Sequence, residues 1–389
     1  MSLVTPHQLD LWSSQMGELY NALEGEILRS LIDRLTTGDI IDVQTWQMEK
    51  LQQLHMFNSD VVKLVSAVTP HAEEDIKRMF EETIEGTIED VDKSIPFTVD
   101  PVKPTHIDNV MRGYFNQTWG DVQNKVNQTL ISTNYGFGSA SQAYTNVLNR
   151  TSALFNTGIY TFEQAIEQST IELAQKGINS TFIDKGGHTW SIERYVQTVL
   201  KSTLNNTYDQ VKKERMSEFG IHTVVVTSHM GARKACTRIQ GEVVDLRRMS
   251  EIPEDSEVRS IYDPYWNNQY GDPGGHRGVN CTHQHLPFIV GVNENNQPKF
   301  TDEENGRVAK NQDKQRQIER NIVKFKKNSM VSHKLGSEKA GYFDEMTAKW
   351  ENKMVDHLKQ NGDYLSRNMP RERVYTPLET LLKQQELFD

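Results

Sequence analysis

A chain of 389 residues has room for two or three domains, yet only 36% of it is hydrophobic, which predicts thin helical layers rather than one large core. Two cysteines exclude a disulfide framework and point to synthesis in a reducing compartment. The net charge of −10 is uneven: residues 1–110 hold 8 basic and 20 acidic side chains, a balance of −12, while Asn305 to Leu335 holds 9 and 2, a balance of +7.

Met1 to Trp12 lacks the basic start and apolar run of a secretory leader, so none is expected. No stretch approaches the roughly 20 apolar residues of a membrane span, and no membrane partner is expected. Trp12, Met16, Leu19, Leu23, Ile27, Leu31 and Leu35 recur at spacings of three and four, which predicts a long helix with one apolar face, ended by Thr37-Gly38. A second helix is predicted from Val43 to Ala67, stopped before Pro70. A third, acidic and exposed along one side, is predicted from Glu73 to Val91. Pro96, Pro101 and Pro104 mark a linker.

Helical patterning resumes from Ile107 to about Ile131, is interrupted at Gly136-Phe137-Gly138-Ser139-Ala140-Ser141, and continues to Asn156. Thr161 with Gln164 predicts a capping box opening a helix over Phe162–Lys176, with Gly177 as its stop. Ser191 caps a further predicted helix running to Phe219. Ile221 to Thr227 is the best strand in the chain, and short strands and glycine turns follow to about Val292. After Pro298–Thr301 a last helical region places Arg316, Arg320, Lys324 and Lys327 on one face, with Lys326 beside them. The expected fold is α+β, mainly helical, with a small glycine-rich β module over about 221–292 and a helical tail. Four successive regions are expected: 1–100, 101–220, 221–300 and 301–389.

The chemistry-bearing residues concentrate in the β module. Both cysteines, Cys236 and Cys281, lie there with His229, His276, His283 and His285. Thiolate and imidazole are the ligands zinc prefers, and four of them would close a structural site. Cys236, Cys281, His283 and His229 are the candidate set, with His276 as another contributor; on a strand, Cys281, His283 and His285 would share one side. The plainer expectation is no cofactor, with cysteines packed as small apolar groups and histidines bonded to the backbone. Neither cysteine belongs to a Cys-x-x-Cys knuckle. Zinc-deaminase, phosphate-loop and His-Glu-x-x-His signatures are absent. A metal-dependent hydrolase or nuclease on the same Cys/His residues is the alternative from another class, with a cysteine nucleophile near His229 or His283 as its variant. His276, Asn280 and His285 are spaced too tightly for a His-Asn-His nuclease.

Gly158 to Ile166, Ile192 to Val196, Val226 to Arg233, Gly278 to His283 and Gln312 to Arg320 stand in an order that resembles the minor capsid proteins of tailed phages related to the Mu F head-morphogenesis family, closest to the branch called minor capsid protein 2. Gly158 to Ile166 is similar to that family's helix start, and Ile192 to Val196 to the core of its next helix. Val226 to Arg233, with Cys236, is similar to its strand and turn; Gly231, Arg233, Gln240 and Gly241 carry that likeness. Gly278-Val279-Asn280-Cys281-Thr282-His283 is similar to its closing motif, although an arginine is more usual where Thr282 stands. Gln312 to Arg320 with Lys324, Lys326 and Lys327 is similar to its basic tail helix. The resemblance covers roughly Ala143 to Lys327. It implies a non-enzymatic virion protein made in the host cytoplasm, present in few copies inside the head and associated with the portal protein and other capsid proteins. It also implies contact with packaged DNA, or help in its ejection. The tail stripe Arg316, Arg320, Lys324, Lys326 and Lys327 would be the DNA or portal contact; the bland reading is a helix paired with acidic neighbours.

Overall fold

Apolar periodicity is realised first in α1 (Pro6–Thr36), where Met16, Leu19, Leu23, Ile27, Leu31 and Leu35 are all buried. A computed structural model describes residues 4–37, 42–95, 107–132, 139–178, 182–183, 189–279 and 281–385. Gly38, the linker prolines 96, 101 and 104, Gly136-Phe137-Gly138 and Asn280 lie outside the described residues.

After α1 come α2 (Val43–Gln52) and α3 (Leu54–Ser94). The predicted break at Pro70 does not occur: α3 runs straight through it, and the helix boundary falls at Gln53 instead. Proline removes one helical hydrogen bond. Thr69 donates its hydroxyl to the Val65 carbonyl at 2.7 Å, and the buried Val65, Val68 and Ala72 flank the site. Burial on both sides of the proline outweighs the local preference to stop. The acidic stretch stays helical with Glu73, Glu74, Glu82 and Glu85 exposed, as expected.

Next are α4 (Ile107–Val122), a π turn (Gln123–Asn127), α5 (Gln128–Leu130), α6 (Ala140–Asn156) and α7 (Phe162–Lys176). The capping box forms as predicted: Gln164 N–H donates to Thr161 Oγ1 at 3.2 Å, and Thr161 N–H donates to Gln164 Oε1 at 3.1 Å. Thr161→Ala is expected to lower stability by about 1 kcal/mol in urea denaturation, and a loss below about 0.3 kcal/mol would show that the box is ornamental here. A two-residue hairpin, β1 (Phe182–Ile183) with β2 (Thr189–Trp190), leads into α8 (Ile192–Glu218).

Then come β3 (Thr223–Val226), the short α9 (Lys234–Thr237), β4 (Val243–Asp245) and β5 (His285–Pro287). β3 is the centre of an antiparallel three-stranded sheet of order β4-β3-β5, with Val225 opposite Val243 and Val226 opposite His285. α10 (Asp302–Lys334), α11 (Ala340–Asn361) and α12 (Leu378–Gln385) complete the chain. The expected class holds: a mainly helical protein with a small β module.

The residues gather into two units. One comprises Met1–Ser13, Asp75–Thr118 and Thr198–Lys314; the other comprises Ser14–Glu74, Trp119–Gln197 and Gln315–Asp389. In the first, Val91, Met216, Val224, Val226, Ile239, Val244, Ile261 and Trp266 form one apolar core, so the sheet is packed against helical side chains rather than left as a bare hairpin. In the second, Trp46 meets Phe162 edge to face at 4.9 Å, and Phe57 stacks on Tyr144 at 4.9 Å. Buried polar groups there are matched: Tyr20 donates to Asn127 Oδ1 at 3.0 Å, and Asn127 in turn donates to Gln123 at 2.8 Å.

Candidate metal centre

Cys236, His276, Cys281 and His283 reach one point from three directions, all four buried and their ligand-type atoms within 4.8 Å of one another. Each approach has a local cause. Leaving β3, the chain turns at Gly231, whose φ of +81° suits glycine; the turn is pinned where Asn305 Oδ1 accepts from Gly231 N–H at 3.0 Å and Ala232 N–H at 3.2 Å. That turn sets the single-turn helix α9, which carries Cys236 inward. The helix closes as Gln240 N–H donates to the Cys236 carbonyl at 2.9 Å. Gly241 N–H then returns the chain to the sheet through the Val226 carbonyl at 2.8 Å.

His276 arrives on a loop wound upon itself. His276 N–H donates to the Asn268 carbonyl at 2.7 Å, Gly271 N–H to the His276 carbonyl at 2.9 Å, Val279 N–H to the Pro273 carbonyl at 3.0 Å, and Cys281 N–H to the Gly278 carbonyl at 3.0 Å. Arg233 ties this loop to α9, donating to the carbonyls of Val279 at 2.6 Å and Gly274 at 3.3 Å. Arg277 ties it to α8: its guanidinium pairs with Asp209, donates to the Asn205 carbonyl at 3.1 Å and donates to the His283 carbonyl. The third approach is the segment entering β5. The strand itself begins only at His285, so Cys281 and His283 lie in irregular chain before it, not on one strand face with His285 as expected.

Within the cluster, Cys236 Sγ and Cys281 Sγ are 4.0 Å apart, and Cys281 Sγ is 3.4 Å from His283 Nδ1. The far nitrogen of each imidazole is engaged: His283 Nε2 meets Gln240 Oε1 at 3.2 Å, and His276 Nε2 meets His285 Nε2 at 2.9 Å. His276 Nδ1 is buried with no hydrogen-bond partner. The thiol of Cys236, together with the neighbouring imidazoles, holds the Cys281 thiol well below its ordinary range, while the same contact pushes Cys236 up. Burial lowers His283, and lowers His285 further, so both rings favour the neutral form.

The fourth member is therefore His276, and His229 stands outside the converging atoms. Its ring lies on that of His283, centroids 4.0 Å apart, and its Nε2 meets Thr282 Oγ1 at 2.8 Å, so it covers the cluster rather than entering it. Thr282, the departure from the usual arginine, is exposed and serves as that partner. Gly231, Arg233, Gln240, Gly241 and Gly278 all build the turns and supports described above. Arg277 and Asp209 belong to the same construction without having been singled out; a lone arginine between a histidine and a glycine carries no spacing signal.

The tail cations are not brought to one free surface. Lys327 is buried, 4.0 Å from Glu24 and 5.1 Å above the Tyr375 ring. Arg316 pairs with Glu319 at 2.8 Å, and Lys326 pairs with Glu351 at 2.9 Å. Arg320 and Lys324 are exposed.

A family model described as phage minor capsid protein 2 matches residues 4–359. The chain belongs to the phage minor capsid protein 2 family. The match takes in the metal-type cluster and nearly all of the helices. A structural protein of Lactococcus phage LL-H is 29% identical over 370 residues, covering 92% of this chain and 98% of that protein. A structural protein of Lactococcus phage mv4 is 27% identical over 120 residues, covering 31% of this chain and 98% of that protein. No solved structure matches the chain. As a phage minor capsid protein 2 member, the chain is a structural component of a phage particle.

Proposed function

We propose that this minor capsid protein sits inside the head at the portal vertex, held by contacts with the portal and other capsid proteins. Of the five cations of the tail stripe, Arg320 and Lys324 are the two that meet packaged duplex DNA. Family membership supports the structural role. What supports protein over DNA as the main partner is the fate of the tail cations: Arg316, Lys326 and Lys327 are all spent on carboxylates of the same chain. A buried lysine can reach phosphate only by leaving its site, and the net charge of −10 opposes approach to DNA elsewhere. No helix among the described residues is long and apolar enough to cross a membrane.

Two measurements test this. The slope of log affinity for duplex DNA against log salt should be no steeper than about −2, because two phosphate contacts release few counterions; five would give roughly −4.5 and would restore the tail as a DNA-binding face. Lysine-directed cross-linking of intact virions should join this chain to the portal. Labelling by a reagent that cannot enter the filled head should appear only after the genome is released. Cross-links confined to the shell subunits, or full labelling of intact particles, would refute the location.

A further inference from the structure

We propose that Cys236, His276, Cys281 and His283 bind one zinc ion as a closed structural site that fastens α9 and the wound loop to the edge of the sheet. The spacing of the ligand atoms is the first argument. Zinc–sulfur bonds of about 2.3 Å and zinc–nitrogen bonds of about 2.0 Å, set at tetrahedral angles, place two sulfurs roughly 3.8 Å apart and sulfur and nitrogen roughly 3.5 Å apart. The chain holds its two sulfurs 4.0 Å apart and its sulfur and nitrogen 3.4 Å apart. A disulfide would need the sulfurs at about 2.05 Å. Two edges of such a tetrahedron are already close to the right length, and all four ligand-type atoms lie within 4.8 Å of one another.

The second argument is the orphaned nitrogen. His276 Nδ1 is buried without a hydrogen-bond partner, an unfavourable condition unless something else satisfies it. Its Nε2 is fixed by His285, as the Nε2 of His283 is fixed by Gln240, so each ring has its Nδ1 left for the centre. Zinc-binding imidazoles are usually held in this way, the far nitrogen bonded to a neighbouring polar group that sets the tautomer and the ring's aim.

Charge is the third. Two thiolates and two neutral imidazoles around a divalent cation sum to zero, which suits a buried location; the adjacent Arg277 is already answered by Asp209. Sulfur and nitrogen in a tetrahedron favour zinc among the common cations. Four protein ligands leave no coordination position for water or substrate, so the ion would hold the module together rather than catalyse a reaction. The site is independent of where the protein lies in the virion.

The test is elemental analysis of the full-length chain, with cobalt(II) exchanged into it. The expected result is one zinc per chain that survives gel filtration. Cobalt should give the intense visible bands of a tetrahedral centre and a thiolate charge-transfer band in the near ultraviolet. His276→Ala and Cys281→Ser should lose the ion and the bands, whereas His229→Ala should keep both, because His229 covers the site without entering it. The cobalt spectrum of the unaltered chain stands even where a variant fails to fold. Less than about a tenth of an equivalent of metal together with no thiolate band, two freely titrating thiols in the native chain, or full zinc retention by folded His276→Ala would each overturn the proposal.

Discussion

Gly278→Ala should cost the β-containing unit roughly 3 kcal/mol or more, the upper end of what overpacking does, and on poor relaxation it should prevent the loop from closing at all. A Cβ at position 278 would stand 2.1 Å from the Asp272 carbonyl oxygen and 2.6 Å from that of Pro273. Those atoms are backbone, so no side chain can swing away to make room. The same holds at Gly275, where a Cβ would lie 1.8 Å from the Gln269 oxygen. Gly274 lies in the same loop but faces open space, with nothing within 4 Å of its would-be Cβ. Gly274→Ala should therefore change stability by less than about 0.5 kcal/mol. Hydrogen exchange at the β3 amides of Val224 to Val226 reads the difference, because these amides lie in the sheet whose strand β5 follows the loop. Equal protection in the two variants would show that the winding of 268–279 is not what positions His276.

Arg277→Met should cost about 3–5 kcal/mol, the usual result of stripping one partner from a buried ion pair. The guanidinium is 7% exposed and satisfies Asp209, the Asn205 carbonyl and the His283 carbonyl together. Without it the Asp209 carboxylate would be left in the interior; its Oδ1 already lacks a hydrogen-bond partner. Methionine has similar length and packs well, so lost charge pairing rather than an empty cavity would dominate. Adding Asp209→Leu to Arg277→Met should recover a large part of the loss, since an apolar pair of similar volume often replaces a buried ion pair at little cost. Urea midpoints of the wild type, the two single variants and the double variant close the cycle. A loss below about 1 kcal/mol for Arg277→Met, or no recovery in the double variant, would mean that the loop is held by its own backbone bonds and that α8 contributes little.

The clearest division between what is local and what is not appears in the tail. Spacing alone places Arg316, Arg320, Lys324 and Lys327 on one face of a helix, and the helix is there. Spacing cannot say that Glu24, some 300 positions earlier in the chain, meets Lys327, or that Glu351 meets Lys326. Pro70 shows the same limit from the other side. Its local cost is real, yet burial of Val65, Val68 and Ala72 decides that the helix continues.

In the cluster, both cysteines and His283 were legible because thiols and imidazoles so concentrated in a glycine-rich stretch demand a common explanation. The fourth member was not. His229 and His276 are both near in sequence, and which one enters depends on how residues 268–279 wind through backbone hydrogen bonds that have no side-chain signature. The dense glycines at 271, 274, 275 and 278 were the sign that such winding occurs, without saying where it points.

By itself the sequence determined the features that arise from interactions within a few residues: the apolar face of α1, the capping box at Thr161, a strand within Ile221 to Thr227 and the order of motifs that marks the family. Periodicity, capping and turn chemistry act over one or two helical turns and leave their trace in spacing. The tertiary structure alone decided the continuation of α3 through Pro70, the entry of His276 in place of His229, and the pairing of the tail cations. Each of these depends on burial and charge contributed by residues distant in the chain, and no local spacing encodes which distant residues those are.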